Sequence, residues 1–596
     1  MVVRSKLSRR TVLTLAAAFL TVAISIAAQA APAPQVISPT PQYSKAKAFD
    51  VSAPLRDLAS AAARRAPSAL SQELIEVRPE RDLEPAANAK GHAYSFDGAL
   101  QRPDGKRQAA APTIPAPLLT FEGLSNQDNF NVFGFRVNPP DPSGAVGPNH
   151  YVEMINLVFA VYDKQGNKLL GPVDTGTLWA GFAVPDCTDP SGDPVVLYDQ
   201  LEDRWLLSQF TTRGFSNGGA FYNCVAISQT GDPTGAYYRY AFPTTFGGKF
   251  YFPDYPKYGV WTDSYLLTSR DFGPTTEYGI SVYALEKEKM IEGDPSARTV
   301  HFFLDSAVVP LYLIGDGLLP ASIDGEDEPK GRSTAPIIGT MDDNATYGAP
   351  FDALNIWELS VRWKKVPVAS LSLTTQLPVA SFNSAFPCGV VPGTRPPSAR
   401  DCLPEPGITD GSQYLDILSY RQRPTWRLAY RNFGKYEALV TNQSVQAAPA
   451  VAGVRWYEIR RDQSGQFSLF QQGTYSGDSV NRWMGSIAMD GAGNMALGYS
   501  VVDGVSVFPG IRYTGRLAGD PPGQMTLGEA TIIDGSGVQL TVNSRWGDYT
   551  TTNVDPTDDC TFWYVNEYYT LAGQLSSLAG WQTRIGSFKL PQCEGQ

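Results

Sequence analysis

Acidic residues at recurring positions are the strongest candidates for chemistry in this 596-residue chain. Four aspartates open strand-like segments and are followed by Pro or Tyr: Asp141, Asp193, Asp254 and Asp548. Two glutamates lie in apolar strand-like runs, where desolvation would raise their pKa: Glu153 and Glu567. Glycoside hydrolysis needs a general acid that faces a base or nucleophile about 5 to 10 Å away. These six residues are therefore the predicted catalytic candidates.

Side chains that could hold a sugar recur near these acids. Arginine binds anions through a bidentate fork, and aromatic side chains line ligand sites. The predicted substrate-binding residues are Arg482, Arg545, Trp546, His150 and Tyr549. A structural role is the alternative for each aspartate and arginine, because Asp before Pro or Gly is common in turns and its carboxylate often ties backbone amides together.

A further acidic cluster could bind a metal ion. Asp555, Asp558 and Asp559 supply the hard oxygen ligands that calcium uses, although they do not follow the EF-hand spacing. A solvated acidic loop is the favoured interpretation of the same residues, and calcium binding is the alternative. The chain has three histidines, at dispersed positions, so zinc sites and histidine triads are poorly supported. The predicted chemistry requires no cofactor, and calcium is the metal that the chain could bind.

The elements that must position these residues are β-strands. From residue 115 to the end, short β-branched and aromatic runs alternate with Gly, Pro, Asn and Asp turns at intervals of roughly ten residues, which indicates an all-β domain. Units of strand, Asp/Gly turn and strand recur, as at 193–210, 253–268, 482–499 and 545–565. They predict a β-propeller of six or seven blades over residues 115–596. Tandem β-sandwiches are the alternative.

The first 114 residues differ from the rest in texture. Residues 1–30 contain basic residues, an apolar run and the sequence Ala28-Gln29-Ala30, which together predict a cleaved export signal. The pair Arg9-Arg10 also fits a twin-arginine signal, so the protein is expected to be secreted or periplasmic. Residues 31–114 are rich in Ala, Pro and charge, which predicts a poorly ordered leader or pro-segment.

Six cysteines lie in the part of the chain that would be exported to an oxidising compartment, where pairing is the default. Fifteen connectivities are formally open. Pairing of sequential neighbours predicts three bridges, Cys187 to Cys224, Cys388 to Cys402 and Cys560 to Cys593.

Composition limits the partners. The net charge is -11 and the basic residues are scattered, which argues against nucleic acid and anionic lipid. No stretch after Ala31 approaches the roughly 20 apolar residues of a transmembrane helix. A monomer with a polysaccharide or glycan ligand is expected.

One family resemblance extends along the domain. The segment 139–152, which begins Pro-Pro-Asp-Pro-Ser-Gly, resembles a segment of uncharacterised secreted bacterial β-propeller proteins. The same group carries sequences similar to 544–549 and 555–564. The resemblance implies a distantly sialidase-like propeller. The Asp-box of sialidases, Ser-x-Asp-x-Gly-x-x-Trp, is absent, so sialidase activity is not implied.

Two functions follow as expectations. The first is an exported carbohydrate-active enzyme, a glycoside hydrolase whose carboxylates lie at the mouth of the propeller channel. The second is a non-catalytic module of the cell envelope that binds glycan or protein. Fold alone does not separate them, because propellers support both kinds of function.

Overall fold

The computed structural model describes most of the chain after residue 36. The described residues are 37–62, 74–76, 96–101, 113–275, 277–329, 334–343, 347–384, 402–417, 422–541 and 545–594. The predicted export signal, residues 1–30, lies outside them. Among the described helices, none has the length and apolar character that a membrane span requires.

The N-terminal part contributes short elements. They are β1 (Gln42–Lys45), β2 (Ala48–Val51), α1 (Leu55–Ala62), β3 (Leu74–Glu76), β4 (Leu119–Ser125), α2 (Asn126–Phe133) and β5 (Arg136–Asn138). Helix α2 begins with a capping box between Ser125 and Asp128 and ends at Gly134, which adopts the left-handed conformation with φ 80°.

Antiparallel four-stranded units then follow one another along the chain. The first unit consists of β6 (Ser143–Val146), β7 (His150–Ile155), β8 (Val158–Asp163) and β9 (Lys168–Asp174), and the second of β10 (Val195–Asp199), β11 (Arg204–Phe210), β12 (Tyr222–Ser228) and β13 (Tyr237–Pro243). A short hairpin follows, β14 (Thr245–Phe246) and β15 (Lys249–Phe250). The third unit consists of β16 (Phe252–Val260), β17 (Ser264–Phe272), β18 (Tyr278–Glu286) and β19 (Arg298–Asp305). Short helices lie between strands at α3 (Gly214–Asn217) and α4 (Lys287–Glu292).

The remaining units complete the domain. The fourth unit follows α5 (Leu311–Ile314) and consists of β20 (Leu319–Ile323), β21 (Ala335–Met341), β22 (Ala353–Arg362) and β23 (Val368–Pro378). The fifth follows the pair β24 (Cys402–Leu403) and β25 (Leu415–Asp416) and consists of β26 (Thr425–Asn432), β27 (Glu437–Ala448), β28 (Val451–Arg461) and β29 (Phe467–Tyr475). The sixth consists of β30 (Asn481–Met489), β31 (Met495–Val502), β32 (Gly510–Arg516) and β33 (Glu529–Ile533), and the seventh of β34 (Thr551–Val554), β35 (Thr561–Tyr569) and β36 (Trp581–Lys589), with α6 (Leu571–Ser576) between its last two strands.

The first strands of these units form a closed ring. In chain order β6, β10, β16, β20, β26, β30 and β34 each contact the next, and β34 contacts β6. We call the units blades 1 to 7 in that order. The predicted all-β propeller is confirmed, and the closed ring is not the arrangement of tandem sandwiches. Blades 4 and 5 share one eight-stranded sheet, because β20 pairs in parallel with β26.

The blades stack face to face, so most strands are buried on both sides. Every residue of β17 is buried, for example, and the largest apolar cluster is built from blades 2 to 5. Burial on both faces explains why these strands do not alternate strictly between apolar and polar residues. The buried strands also carry polar residues, such as Thr268, Arg270 and Asp271 in β17.

Both ends of the chain build blade 7. Strand β4 pairs with β36 as the outermost strand, from Ser125 opposite Gln582 to Leu119 opposite Ser587. The ring closes in the centre through Thr551, whose hydroxyl accepts a hydrogen bond from the Gly144 amide at 2.8 Å. The last blade is therefore incomplete until β4, which precedes blade 1 in the chain, is in place.

The described parts of the predicted leader are ordered against the blades. Strand β1 pairs with β19, strand β2 pairs with β13, and helix α1 buries Leu55 and Ala59. The sequence missed these strands because each has only four residues, and the sheet edge of another blade supplies the pairing that makes them stable.

Two predicted disulfides are confirmed. Cys187 bonds to Cys224 and Cys560 bonds to Cys593, with Cα atoms 5.9 and 5.6 Å apart. Cys388, the predicted partner of Cys402, lies outside the described residues. Disulfides such as these form and persist in oxidising compartments.

Candidate functional site

The candidate site lies where the first strands of several blades begin. Asp141, Asp193 and Tyr255 each adopt a left-handed backbone conformation, with φ 47°, 46° and 51°. Each directly precedes a proline, where that conformation is unfavourable and costs on the order of 1–3 kcal/mol. Contacts with neighbouring blades must hold this backbone in place.

A chain of hydrogen bonds provides those contacts across four blades. The Asp548 amide donates to Asp141 Oδ1 at 2.6 Å, and Asn156 Nδ2 donates to Asp141 Oδ2 at 2.6 Å. The Asp193 amide donates to Asn156 Oδ1 at 2.9 Å, and the Tyr255 amide donates to Asp193 Oδ2 at 3.1 Å. Residues more than 400 positions apart, Asp141 and Asp548, are thereby in direct contact.

Three cations lie among these carboxylates. Lys257 is fully buried, with Nζ 3.4 Å from the centre of the Tyr255 ring. Arg545 Nη2 donates to Asp548 Oδ1 at 2.9 Å, and Arg423 Nη2 lies 4.0 Å from Asp548 Oδ2. We call Asp141, Asn156, Asp193, Lys257, Arg423, Arg545 and Asp548 the blade-start cluster.

Burial shifts the pKa values of three groups in this cluster, Asp141, Asp193 and Lys257. Desolvation raises the pKa of Asp141 to about 7, with a further increase from the charge of Asp548. Desolvation, followed by the charge of Asp254, raises the pKa of Asp193 well above its usual range. Desolvation lowers the pKa of Lys257 to about 7, against the charge of Asp193. Groups that titrate near neutral pH are characteristic of functional sites.

Asp254 lies at the more exposed edge of the cluster, where its side chain is 18% exposed. Its Oδ2 atom is 3.9 Å from Arg270 Nη1, and Arg270 Nη2 is 3.4 Å from Asp316 Oδ1. Tyr347 donates a hydrogen bond to the same Asp316 oxygen at 2.6 Å. Asp316 is 16% exposed, so these residues form a polar rim beside the buried cluster.

Several predicted site residues lie next to the cluster but inside the core. Glu567 is buried, accepts a hydrogen bond from the Gly547 amide, and has a pKa raised well above its usual range by burial. Tyr549 is buried and donates to the Pro194 carbonyl at 3.1 Å, whereas the buried Trp546 ring packs on Trp483 at 5.0 Å. Neither aromatic ring is exposed for stacking on a sugar.

Other predicted residues lie away from the cluster. Arg482 pairs with Asp478 and Glu529 in blade 6, at 2.8 Å each. His150 is half-buried at the start of the second strand of blade 1, at the opposite end of that blade from Asp141. Glu153, on the same strand, accepts hydrogen bonds from the Leu124 amide at 2.8 Å and from Thr583 at 2.5 Å. Glu153 therefore contacts the strands that close blade 7.

Glu153 provides a test of this packing through the pH dependence of stability. Burial raises its pKa to about 7, so folding takes up a proton between pH 4.5 and about 7, and stability is lost as pH rises through that window. Glu153→Gln stays neutral and is expected to be more stable than wild type by up to about 3 kcal/mol at pH 7.5, with little difference at pH 4.5. Chemical denaturation at both pH values measures this, and a difference that does not change with pH would contradict it.

An open pocket of about 560 Å³ lies at the opposite ends of the first strands from the blade-start cluster. The hairpins that join first and second strands build most of it, and its lining residues are Gln200, Asp324, Gly325, Glu326, Asp327, Arg431, Asn432, Phe433, Gly491, Pro556, Thr557, Asp558 and Asp559. We call it the hairpin-end pocket. Five carboxylates and one arginine line it, and Asp324 and Asp558 also pair with Arg427 and Lys589.

Protein donors contact the carboxylates that the sequence suggested for calcium. Arg431 binds both oxygens of Asp559, at 2.9 and 2.5 Å. Lys164 donates to Asp555 at 2.7 Å, and the Thr561 amide donates to Asp558 at 2.9 Å. A calcium role for these residues remains a prediction.

A different carboxylate group is close enough to hold a metal ion. One oxygen from each of Asp342, Asp343 and Asp352 lies within 4.8 Å of the others, in the loop between β21 and β22. Burial raises the pKa of Asp352 to about 7, with further increases from its two neighbours. The sequence analysis missed this group because Asp352 is separated from the pair by a turn.

Lys257, Arg423 and Asn156 were also missed. A lysine inside the apolar run 252–260 is the one signal that could have indicated Lys257. Asn156 and Arg423 carry no such signal, because nothing in the sequence shows that their segments meet.

Comparisons with known proteins assign no family. No protein-family model and no curated protein matches the chain. Similar solved structures include a thermostable family-43 glycoside hydrolase, with 11% identity over 70% of this chain and 99% of that one at a TM-score of 0.25. An exo-β-1,3-galactanase from Phanerochaete chrysosporium is 11% identical over 66% of this chain and 80% of that one, at a TM-score of 0.24. An α-L-arabinofuranosidase from Lactobacillus brevis is 9% identical over 56% of this chain and 95% of that one, at a TM-score of 0.27. Likeness at these TM-scores assigns no activity to this chain.

Proposed function

We propose that this protein is an exported glycoside hydrolase that acts at the blade-start cluster. The observation that carries the proposal is the meeting of Asp141, Asp193 and Asp548 with Lys257, at pKa values for Asp141 and Lys257 that burial brings to about 7. Glycoside hydrolysis needs two carboxyl groups in different protonation states, and environments that separate their pKa values provide them.

The roles follow from the contacts of each group. Asp193, whose pKa is raised, is the general acid that protonates the leaving oxygen. Asp548, which is paired with Arg545, is the base or nucleophile. Substrate approaches over the polar rim of Asp254 and Asp316, and Arg270 between them binds a polar group of the glycan.

Release of reducing ends tests the proposal. The protein without residues 1–30 is incubated with a panel of plant, fungal and bacterial polysaccharides, with calcium and with chelator, and new reducing ends are counted. Release from at least one polymer is expected in both conditions, because none of the proposed roles uses a metal. No release from any polymer would overturn the proposed hydrolase.

The hairpin-end pocket favours a second candidate function, glycan binding without catalysis. It is open, and its exposed acidic side chains include Glu326 and Asp327. Carboxylates and a neighbouring aromatic side chain, Phe433, suit a ligand with hydroxyl or ammonium groups.

Retention of two variants on immobilised glycans distinguishes binding at the hairpin-end pocket from binding at the blade-start cluster. If the pocket is the binding site, Glu326→Ala/Asp327→Ala is expected to weaken retention roughly ten-fold, whereas Asp193→Asn leaves it unchanged. The opposite pattern would exclude the pocket and place the ligand at the blade-start cluster.

A further inference from the structure

The described N-terminal residues follow the outer rim of the propeller from blade to blade. Leu373 in the outer strand of blade 4 donates its amide to the Ile37 carbonyl at 3.4 Å. Strand β1 then extends blade 3, strand β2 extends blade 2, and α1 contacts β9 of blade 1. Residues 37–62 thus touch four consecutive blades in order.

A later described segment, residues 96–101, lies against blade 5. The Gln101 amide donates to the Thr474 carbonyl at 2.9 Å, and the Thr474 amide donates to the Ala99 carbonyl at 2.8 Å. Thr474 belongs to the outer strand of blade 5. We call residues 37–62 and 96–101 the rim belt.

Two ion pairs fasten the rim belt to the blades, one fully buried and one partly exposed at Asp50. Asp97 lies 2.6 Å from Arg455 Nη2, and both side chains are fully buried. Thr474 also donates to Asp97 Oδ2 at 2.9 Å. Asp50 binds Arg239 through two bonds of 2.7 and 2.6 Å. Loss of the belt would leave both arginines without these carboxylates, which is costly inside a protein.

The belt also covers sheet edges. Without β1 and β2, the outer strands of blades 3 and 2 would present unpaired amide and carbonyl groups, which promote association between copies. A pro-segment that leaves on maturation would expose these edges in the finished protein.

We propose that the rim belt is a permanent clamp of the mature propeller, anchored by Asp97, and not a releasable pro-segment. The belt stays bound when the chain between it and the propeller is cut, because its ion pairs and strand pairings are independent of that connection. This inference does not depend on the proposed hydrolase activity.

A cleavable linker tests the clamp in the intact chain. A protease recognition sequence is inserted after Gly105, the protein is cut in native buffer, and the products are separated by size exclusion. Both fragments are expected to elute together and to separate in denaturant. Elution of the N-terminal fragment by itself in native buffer would overturn the proposal.

A matched pair of variants tests the anchor. In the cut protein, Asp97→Ala is expected to speed loss of the N-terminal fragment on the order of a hundred-fold, because Arg455 keeps a buried charge without that carboxylate. Asp57→Ala makes the same change at an exposed position of α1 and is expected to have no effect. Equal rates for the two variants would exclude Asp97 as the anchor. Circular dichroism of both uncut variants verifies that the propeller is folded.

Discussion

Asp193→Asn is expected to reduce the release of reducing ends about 10²- to 10⁴-fold with little change in stability. Asparagine keeps an oxygen that can accept the hydrogen bond from the Tyr255 amide, which is 3.1 Å long in the wild-type protein. The asparagine side chain cannot donate a proton to a leaving group. Because burial already favours the neutral form of Asp193, the substitution removes no charge that the fold depends on near neutral pH. Initial rates measure the loss of activity, and the denaturation midpoint measures the change in stability.

The control for this variant is an aspartate with the same substitution in an exposed position. Asp534 is 71% exposed in blade 6, and Asp534→Asn is expected to keep wild-type rates. Unchanged activity in Asp193→Asn would move the general acid elsewhere. Asp141, with a pKa of about 7, is then the next residue to replace.

Removing the bridge between Cys560 and Cys593 is expected to lower the free energy of unfolding by about 3–4 kcal/mol. The bridge closes a loop of 33 residues, and the estimate follows from the chain entropy that this loop returns to the unfolded state. The bridge connects the start of β35 with the chain just after β36, so it stabilises the blade that both ends of the chain build. Chemical denaturation of Cys560→Ala/Cys593→Ala measures the loss.

The second bridge serves as the comparison for this prediction. Cys187 and Cys224 are 37 residues apart, so Cys187→Ala/Cys224→Ala is expected to lose a similar amount of free energy. Hydrogen exchange distinguishes the two double variants. Amide exchange over β36 and β4 is expected to be faster in Cys560→Ala/Cys593→Ala and unchanged in Cys187→Ala/Cys224→Ala. An unchanged midpoint for the Cys560 variant would contradict the assigned role.

The candidate site shows how far local sequence signals reach. Asp141, Asp193 and Asp548 could be selected because an aspartate at the start of a strand-like run is a local pattern, and the structure does bring them together. Arg482 follows a similar local pattern, yet its guanidinium is used by Asp478 and Glu529. A pattern of residue types does not say which neighbour a long side chain will meet.

The sequence by itself determined the strand-rich class, the recurring units and the two described disulfides. Those properties depend on residue types within about one unit: turn residues, β-branched and aromatic runs, and cysteines that are sequential neighbours. Burial of strands on both faces did not hide this signal, because β-branched and aromatic residues between turn residues mark a strand without a strict alternation.

Only the tertiary structure decided which candidate residues meet and which blades the described residues before position 102 contact. The contacts of Asp141 with Asp548, of β4 with β36 and of Asp97 with Arg455 join segments that are hundreds of positions apart. The pKa values of Asp141 and Lys257 likewise depend on burial by other blades. Ring closure creates these neighbours, and no local pattern encodes them, because desolvation and pairing energies arise from residues that meet only after the blades have assembled.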